Sequence, residues 1–577
     1  MQYADSPSAL RVRISVPTWP ATICLLAGTG LLAVGWSHEG VARGLCGLYG
    51  LALLDVGLLD CVVAVHGARP LSTATLRGIA GALRELGAEL SGSFRLCFRG
   101  RGDVLWLVAL TALGVVVRAD ALNQPMAYDE AYTFLNFVNP GFPELFNYPL
   151  PNNHVLHTIL VCLSTLCFGS SPVAIRLPAF LAGVATVPLT FWLCRMLLAG
   201  RSGYLATTVV SIGAAYLILY SAMARGYSLL TSLTLVLAIV GLCVVKRPTW
   251  TGCAVLSLIG ALGMLTIPTM LFALAGLYLW LGALLWIERG SLHRVLTGLL
   301  APCALMTALL SIALYTPSIA QSGGARSIIA NSFVRPLPWA EFSSQLVPHV
   351  QSAAVQFAWN LPKAARALCA PLVLIGMLAA ARQRNWAAAL LAPSMLAGGA
   401  AVLLSKQSIP FHRTWLYLIP FTAIAADIGL SYAMRAVPSR VQWLLPAFLL
   451  VLGLRGAARM IADDTIASGA DFPEAAQIVR DLKAVMRPGD LVHVALPIDW
   501  STYFYMWYYG LPAPFGSGDP PHDEFFIVEK RSYAIGALTD RPVTVIAERG
   551  GGLLYRLDPT ACDASTEDAA SPDGAAR

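Results

Sequence analysis

The feature that most constrains this chain is a series of apolar runs long enough to cross a lipid bilayer, which takes about 20 residues of helix. Charged residues make up only 12% of the 577 positions, against about 25% in soluble proteins. Since a single core stops growing near about 250–300 residues, one large soluble enzyme is excluded. The runs lie at 21–37, 44–66, 104–118, 174–198, 203–221, 228–245, 250–268, 269–287, 295–316, 364–381, 386–404, 413–433 and 441–460.

Charge divides the chain near residue 460. Residues 1–460 carry a net charge of +16 (30 basic, 14 acidic), and residues 461–577 carry −9 (9 basic, 18 acidic). The basic balance therefore reflects membrane topology and not nucleic-acid binding. The acidic part has α/β periodicity. Its predicted helices lie near 473–486 and 500–509, and its strands near 490–495, 524–529, 542–547 and 552–557.

One shorter apolar segment, 154–168, decides the topology. Polar residues recur in it at helical spacing, which predicts an amphipathic helix that does not cross the bilayer. If the N-terminus is cytoplasmic and 154–168 does not cross, 18 of the 30 basic residues of 1–460 lie on the cytoplasmic side. If 154–168 crossed, the later basic clusters would lie outside, against the positive-inside rule. We predict about thirteen spans in the inner (plasma) membrane, a cytoplasmic N-terminus, outer loops 119–173 and 317–363, and a periplasmic C-terminal domain.

The predicted organisation has four parts. Residues 1–103 form an N-terminal extension with two spans and a basic cytoplasmic loop, and 104–460 form the main transmembrane module. Residues 461–558 form the small α/β domain, and 559–577 are disordered. The cysteines, mostly in apolar runs, are predicted to be packing residues, and the lone Cys562 excludes a disulfide within the C-terminal domain.

An acidic pair follows the span at 104–118. Asp129 and Glu130 lie in the first outer loop, ahead of an aromatic helical stretch. A carboxylate at a membrane surface is a candidate general base. The alternative is a solvated helix N-terminus, where acidic residues favour the helix dipole.

A histidine pair opens the amphipathic helix. His154 and His157 are three residues apart and share a helix face. They could contact a sugar or phosphate, or bind a metal together with Asp129. The structural alternative is that Asn153 simply caps the helix.

A few basic residues are predicted on the outer side, against the general trend. A charge at this depth costs a few kcal/mol unless it is paired. An anionic ligand such as a lipid phosphate would account for them, and so would pairing with the acidic pair or with lipid headgroups. They are Arg176, Arg225, Lys406 and Arg413, with His412 beside them.

Three stretches carry a resemblance to a known family. YDEAYTF resembles an acidic pair in a first periplasmic loop, and KQSIPFHRTWLYLIPF resembles a late "RY…lPf" element. NNHVLHTILVCLSTLCFGSSPVAIRLPAFLAGV resembles an "HPPL…lfG…aaRLpsalaG" stretch. Over roughly 104–510 the chain is similar to GT-C fold membrane glycosyltransferases of the protein O-mannosyltransferase, aminoarabinose transferase and lipopolysaccharide-core galacturonosyl transferase type.

The resemblance implies a mainly α, polytopic GT-C fold and a set of site residues. Asp129 corresponds to the catalytic carboxylate with Glu130 as its neighbour, His154 to the family's "HP" histidine, and Arg176 to the arginine of "RLp". The sequence departs from the family at Val155, which replaces the proline of "HP". The segment MARGYSLLT contains Arg225 and Tyr227 but lacks the family's second acid. A metal held between two carboxylates is thus in doubt, and a divalent cation stays only a possible cofactor.

The implied reaction uses a polyprenyl-phosphate sugar donor and an envelope glycan, lipid or protein acceptor, with membrane lipids as further partners. Asp129 takes the acceptor proton during one inverting displacement. The predicted substrate-binding residues are Asn153, His154, His157, Arg176, Arg225, Tyr227, Lys406, His412 and Arg413. Trp339, Trp359 and Tyr503 are expected to help close the cleft, although interfacial aromatic belts would explain them equally. The alternative functions are a lipid or lipid-linked glycan transporter, or a non-catalytic glycan-binding protein.

Overall fold

The structure is a computed structural model that describes residues 73–557 with short gaps. The positions not described within that range are 199, 201, 292–295, 323, 325–327, 329–333, 359–360, 362, 439–441, 443, 463–471, 512–522, 531–535, 537 and 540. The predicted spans at 21–37 and 44–66, Trp359 and the predicted disordered tail 559–577 therefore lie outside the described residues.

The described part is mainly helical, as predicted. Its α-helices are α1 (Thr73–Leu96), α2 (Arg101–Ala121), α3 (Tyr128–Thr133), α4 (Val155–Phe168), α5 (Pro172–Leu197), α6 (Tyr204–Thr208), α7 (Ala215–Ser221), α8 (Tyr227–Lys246), α9 (Trp250–Thr266), α10 (Met270–Arg289), α11 (Ala301–Gln321), α12 (Trp339–Ala358), α13 (Lys363–Arg382), α14 (Trp386–Lys406), α15 (Leu418–Ala433), α16 (Leu444–Ala462), α17 (Ala475–Val485) and α18 (Asp499–Tyr508). Shorter 3₁₀ or π segments are Phe134–Val138, Phe142–Phe146, Val209–Gly213, Leu296–Leu300, His412–Trp415 and Met434–Ala436.

The chain is a multi-pass membrane protein. Within the described residues, seven helices are long and apolar enough to span a membrane, and the bent pair Tyr204–Gly213 and Ala215–Ser221 brings the number to eight if it is one span. The predicted runs 250–268, 413–433 and 441–460 coincide with α9, α15 and α16, outside those seven. The segment 154–168 forms α4, whose 14 residues reach only about 21 Å, less than the bilayer core of about 30 Å.

The chain divides into two compact units. Unit 1 comprises Met1–Asp120 and Pro140–Arg459, and unit 2 comprises Ala121–Asn139 and Met460–Arg577. The predicted first outer loop, 119–173, is thus divided between the two units, because 121–139 groups with the C-terminal residues.

Within unit 1, buried charges connect helices that are distant in sequence. Asp427 of α15 is 1% exposed and accepts hydrogen bonds from the backbone N–H groups of Gly203, Leu205 and Ala206 at 2.6, 2.6 and 3.1 Å. These N–H groups lie at the start of α6, where a helix has no internal acceptors for them. The carboxylate of one helix therefore caps another.

A buried arginine supports the bend between α6 and α7. Arg118 is fully buried and donates to the carbonyl oxygens of Ser211 at 2.6 Å and Val210 at 2.8 Å. Those carbonyls lie in the π segment Val209–Gly213, just before the 56° bend. A broken helix leaves backbone carbonyls without internal donors, and Arg118 provides donors for two of them.

Glycines allow close helix packing in unit 1. A Cβ added to Gly398 of α14 would overlap the backbone of Gly276 on α10. Close backbone contact between helices, with small residues at the contact, is typical of membrane proteins.

Within the described residues, unit 2 contains a four-stranded sheet and the helices α3, α17 and α18. The strands β1 (Leu491–Val494), β2 (Glu524–Glu529), β3 (Val543–Arg549) and β4 (Gly552–Leu557) lie in the order β1-β2-β4-β3. β1 pairs parallel with β2, and the other pairs are antiparallel. The amphipathic helix α17 buries Ala475, Ile478, Val479 and Leu482. These elements agree with the predicted ones to within a few residues.

Candidate functional site

The acidic pair lies on α3 in unit 2, and its two carboxylates differ in their surroundings. Glu130 is 1% exposed, and its Oε1 accepts a hydrogen bond from the Ala127 N–H at 2.8 Å. This contact closes the helix N-terminus as in a capping box. Asp129, one residue earlier, is half-buried. Of the pair, Asp129 is thus the more accessible carboxylate, and Glu130 also has a structural role.

Aromatic packing fixes α3 on α18 within unit 2. The rings of Tyr132 and Trp500 meet edge to face with centroids 4.8 Å apart, and Phe134 contacts Trp507 at 4.9 Å. The Met126 N–H donates to the Tyr505 hydroxyl at 3.0 Å. The backbone that bears Asp129 is therefore positioned by a rigid helix of the C-terminal domain.

The histidine-bearing loop of unit 1 is organised by Asn153. Its buried Nδ2 donates to the carbonyl oxygens of Leu145 and Asn147 at 2.9 and 2.8 Å, and its Oδ1 accepts from the Thr158 hydroxyl at 2.8 Å. The helix N-cap is His154, so the expectation that Asn153 caps α4 is wrong. Asn153 instead satisfies buried loop carbonyls and so positions His154.

His154 is held between a backbone N–H and an arginine. The Gly226 N–H donates to Nδ1 at 2.9 Å, and Arg225 Nη2 lies 3.2 Å from Nε2. Burial lowers the pKa of His154 well below its usual value, and Arg225, His157 and Arg413 lower it further. The ring is therefore neutral at physiological pH. Because Nδ1 accepts a hydrogen bond, the single ring proton is on Nε2. His154 Nε2 and Arg225 Nη2 are therefore two hydrogen-bond donors that face each other.

His157 is a second buried imidazole near Arg225. It is fully buried, and neither ring nitrogen has a hydrogen-bond partner among the described residues. Burial, with Arg225 second, lowers its pKa to about 3, so this ring is also neutral and carries one N–H donor. A buried polar group without a partner costs free energy unless something else satisfies it.

Tyrosine rings and Arg413 border this cluster. The Tyr227 ring contacts His154 edge to face at 5.2 Å and Tyr220 at 5.0 Å. The Arg413 guanidinium lies 5.9 Å from the centre of the Tyr227 ring, and Arg413 also hydrogen-bonds Tyr220. The structure thus brings together His154, His157, Arg225, Tyr227 and Arg413, which were predicted from separate parts of the sequence. We call these five residues the histidine–arginine cluster.

The other predicted residues lie elsewhere in unit 1. His412 stacks on His349 of α12 with ring centroids 4.7 Å apart. Lys406 is exposed at the end of α14. Arg176 is buried in the first turns of α5.

Comparison with solved structures identifies the fold. ArnT from Cupriavidus metallidurans bound to undecaprenyl phosphate is similar, with 13% identity and a TM-score of 0.53 over 79% of this chain and 99% of that chain. ArnT in the apo state gives a TM-score of 0.55 at 13% identity, over 80% of this chain and 100% of that chain. The chain has the GT-C fold. Its sequence matches no protein-family model and no curated protein.

The sequence left a divalent cation open as a possible cofactor. No group of three His, Cys, Asp or Glu side chains is placed to hold a metal ion within the residues that the structure describes. The donor set of the histidine–arginine cluster also fits a cation poorly, because arginine only donates and repels positive charge. The cluster fits an anion instead.

Two residues near these groups were missed at the sequence level. Asp499 begins α18 and is 8% exposed, and Tyr220 lies at the end of α7. Asp499 is the last residue of the run ALPID, which follows the predicted strand near 490–495. A carboxylate in a loop just after a strand is a sequence signal for a functional residue.

Proposed function

We propose that the protein is an integral membrane glycosyltransferase that transfers a sugar from a polyprenyl-phosphate-linked donor to a cell-envelope acceptor on the periplasmic face. In this proposal the N-terminus is cytoplasmic and the C-terminal domain periplasmic, as the positive-inside rule favours. The GT-C fold is consistent with this function, and ArnT, which shares it, binds undecaprenyl phosphate.

The observation that carries the proposal is the meeting of donors in the histidine–arginine cluster. Nε2–H of His154 and Nη2 of Arg225 approach to 3.2 Å, and one oxyanion placed against both would accept from each. A phosphate oxygen is such an acceptor, and arginine is well suited to it. Arg413 brings a second positive charge to the same cluster.

The proposed chemistry gives separate roles to the donors of unit 1 and to Asp129 of unit 2. The acceptor oxygen attacks the anomeric carbon, the bond from that carbon to the phosphate oxygen breaks, and the configuration inverts. The acceptor proton passes to the Asp129 carboxylate as general base. The electron pair leaves with the polyprenyl phosphate, and Arg225, Arg413 and His154 stabilise its growing negative charge.

Asp129→Asn tests the reaction. Membranes containing wild-type protein are expected to release polyprenyl phosphate from lipid-linked sugars extracted from the native envelope, and this variant should lose about 10²–10⁴-fold in rate. Glu548→Gln, which also removes one negative charge from unit 2 but at an exposed position, is the matched control. Full turnover by a folded Asp129→Asn variant would exclude Asp129 as the base.

A further inference from the structure

A second carboxylate accompanies Asp129 in unit 2. Asp499 is 8% exposed, and its Oδ1 has no hydrogen-bond partner among the residues the structure describes. Burial raises the pKa of this carboxyl, while the N–H groups of Asp499 and Trp500 partly oppose the shift. A buried carboxylate oxygen without a donor is costly, so a ligand that brings a donor would remove this cost.

Aromatic side chains of α18 and α3 pack together beside Asp499 in the chain. The Trp500 side chain hydrogen-bonds Tyr128, and its ring meets Tyr132 at 4.8 Å and Tyr503 at 5.7 Å. These four rings are half-buried, so each has some surface available to a ligand.

The carboxylates of Asp499 and Asp129 both raise the pKa of the Tyr128 hydroxyl, in addition to the larger effect of burial. Burial raises the pKa of Tyr128 to about 12, and the negative charges of Asp499 and then Asp129 add to the effect. Burial raises the pKa of Tyr503, and the Asp499 charge adds to this shift. Asp129 lies on α3 and Asp499 begins α18, and these two helices pack together through Tyr132 and Trp500, so both carboxylates lie beside the same aromatic contact.

We propose that Asp499, Asp129, Tyr128 and Trp500 form a saccharide-binding subsite that holds the acceptor. A sugar supplies several hydroxyl donors for the carboxylates, and its C–H faces pack against aromatic rings, which combine apolar surface with polar edges. Asp499 is the positioning residue, because it binds a hydroxyl other than the one that reacts. The inference rests on the proposed function and narrows the acceptor to a glycan or glycolipid.

Saturation-transfer NMR on the full chain tests the subsite. The protein is placed in lipid nanodiscs free of sugar-based detergent, and the probes are the methyl glycosides of glucose, galactose and mannose, with ethanolamine as the amine probe. At least one glycoside should bind saturably. Asp499→Leu should weaken that binding about tenfold or more, because a charged hydrogen bond is lost. Asp499→Asn, which keeps an acceptor oxygen and the shape, should weaken it less.

Glu548→Gln is the matched control, since Glu548 is an exposed acid of the same unit, and its removal should change nothing. Binding of no glycoside, an unchanged affinity in Asp499→Leu, or preference for ethanolamine over every glycoside would each overturn the proposal. Undecaprenyl phosphate binding is measured on the same preparations. If the wild type binds undecaprenyl phosphate but no glycoside, the subsite is contradicted and the proposed function stands. If the wild type does not bind undecaprenyl phosphate, the proposed function is contradicted.

Discussion

Arg225 Nη2 lies 3.2 Å from His154 Nε2, although both atoms are hydrogen donors when the ring is neutral and Nδ1 accepts from the Gly226 N–H. Two hydrogen-bond donors at this distance are both satisfied when an acceptor atom, such as an anion oxygen, binds to them. The proposed anion-binding site in unit 1 is based on this relationship more than on any single residue.

Gly226→Ala should disturb this site without changing a charge. A Cβ at this position would lie 2.8 Å from Thr266 Cγ2 and 3.3 Å from His154 Nδ1, so His154 must move. Overpacking of this size costs about 1–3 kcal/mol, and we expect roughly tenfold weaker binding of undecaprenyl phosphate. Isothermal titration in nanodiscs measures it. Gly456→Ala, which meets nothing within 4 Å, is the control, and equal affinity of the two variants would contradict the prediction.

Asp427→Asn should destabilise unit 1. The carboxylate accepts from the N–H groups of Gly203, Leu205 and Ala206, and an amide offers only one acceptor oxygen and adds donors. We expect the free energy of unfolding to fall by about 1–3 kcal/mol, measured as a lower Tm in detergent micelles. Arg435→Gln, at an exposed position, should leave the Tm unchanged. An unaltered Tm in Asp427→Asn would show that the cap is not stabilising.

Acidification should weaken the packing of α12, because it disrupts the hydrogen bond between His349 and Trp415. His349 Nε2 accepts from the Trp415 indole N–H at 2.9 Å, which requires a neutral ring. Burial lowers the pKa of His349, with His412 adding to it, and burial lowers the pKa of His412. A lowered pKa in the docked state means that docking is fully stable above the ordinary value of about 6.5 and weakens as the pH falls below it.

Hydrogen exchange of 339–358, corrected for intrinsic rates, measures this effect between pH 7.5 and 5.5. Protection should fall at the lower pH in the wild type. The double variant His349→Gln, His412→Gln keeps an acceptor for Trp415 but cannot titrate, so its protection should stay constant. A wild-type protein with protection independent of pH would contradict the account.

The sequence predicts the helices and the small α/β domain well, because hydrophobic periodicity is a local signal. It also identifies the members of the histidine–arginine cluster, since charged groups at the ends of spans are costly unless they are paired or bind a ligand. It does not predict their partners. The role of Asn153 depends on the buried carbonyls of Leu145 and Asn147, which only the folded loop creates.

The same limit applies to longer distances. Asp427 caps a helix that begins more than 200 positions earlier, and no local pattern in 413–433 indicates which N–H groups it binds. Asp499 becomes a neighbour of α3 only through the packing of α18 on the first outer loop. Tertiary contacts of this kind determine polar networks, whereas periodicity determines only the elements.

Native mass spectrometry of undecaprenyl phosphate binding tests the central claim most directly. The wild-type chain should bind undecaprenyl phosphate more tightly than undecaprenol, which has the same tail without the phosphate. Arg225→Gln should reduce phosphate binding about tenfold or more, because a charge-assisted contact is lost, and should leave undecaprenol binding unchanged. Equal binding of the two lipids by the wild type, or unchanged phosphate binding in Arg225→Gln, would contradict a polyprenyl-phosphate donor site in this protein.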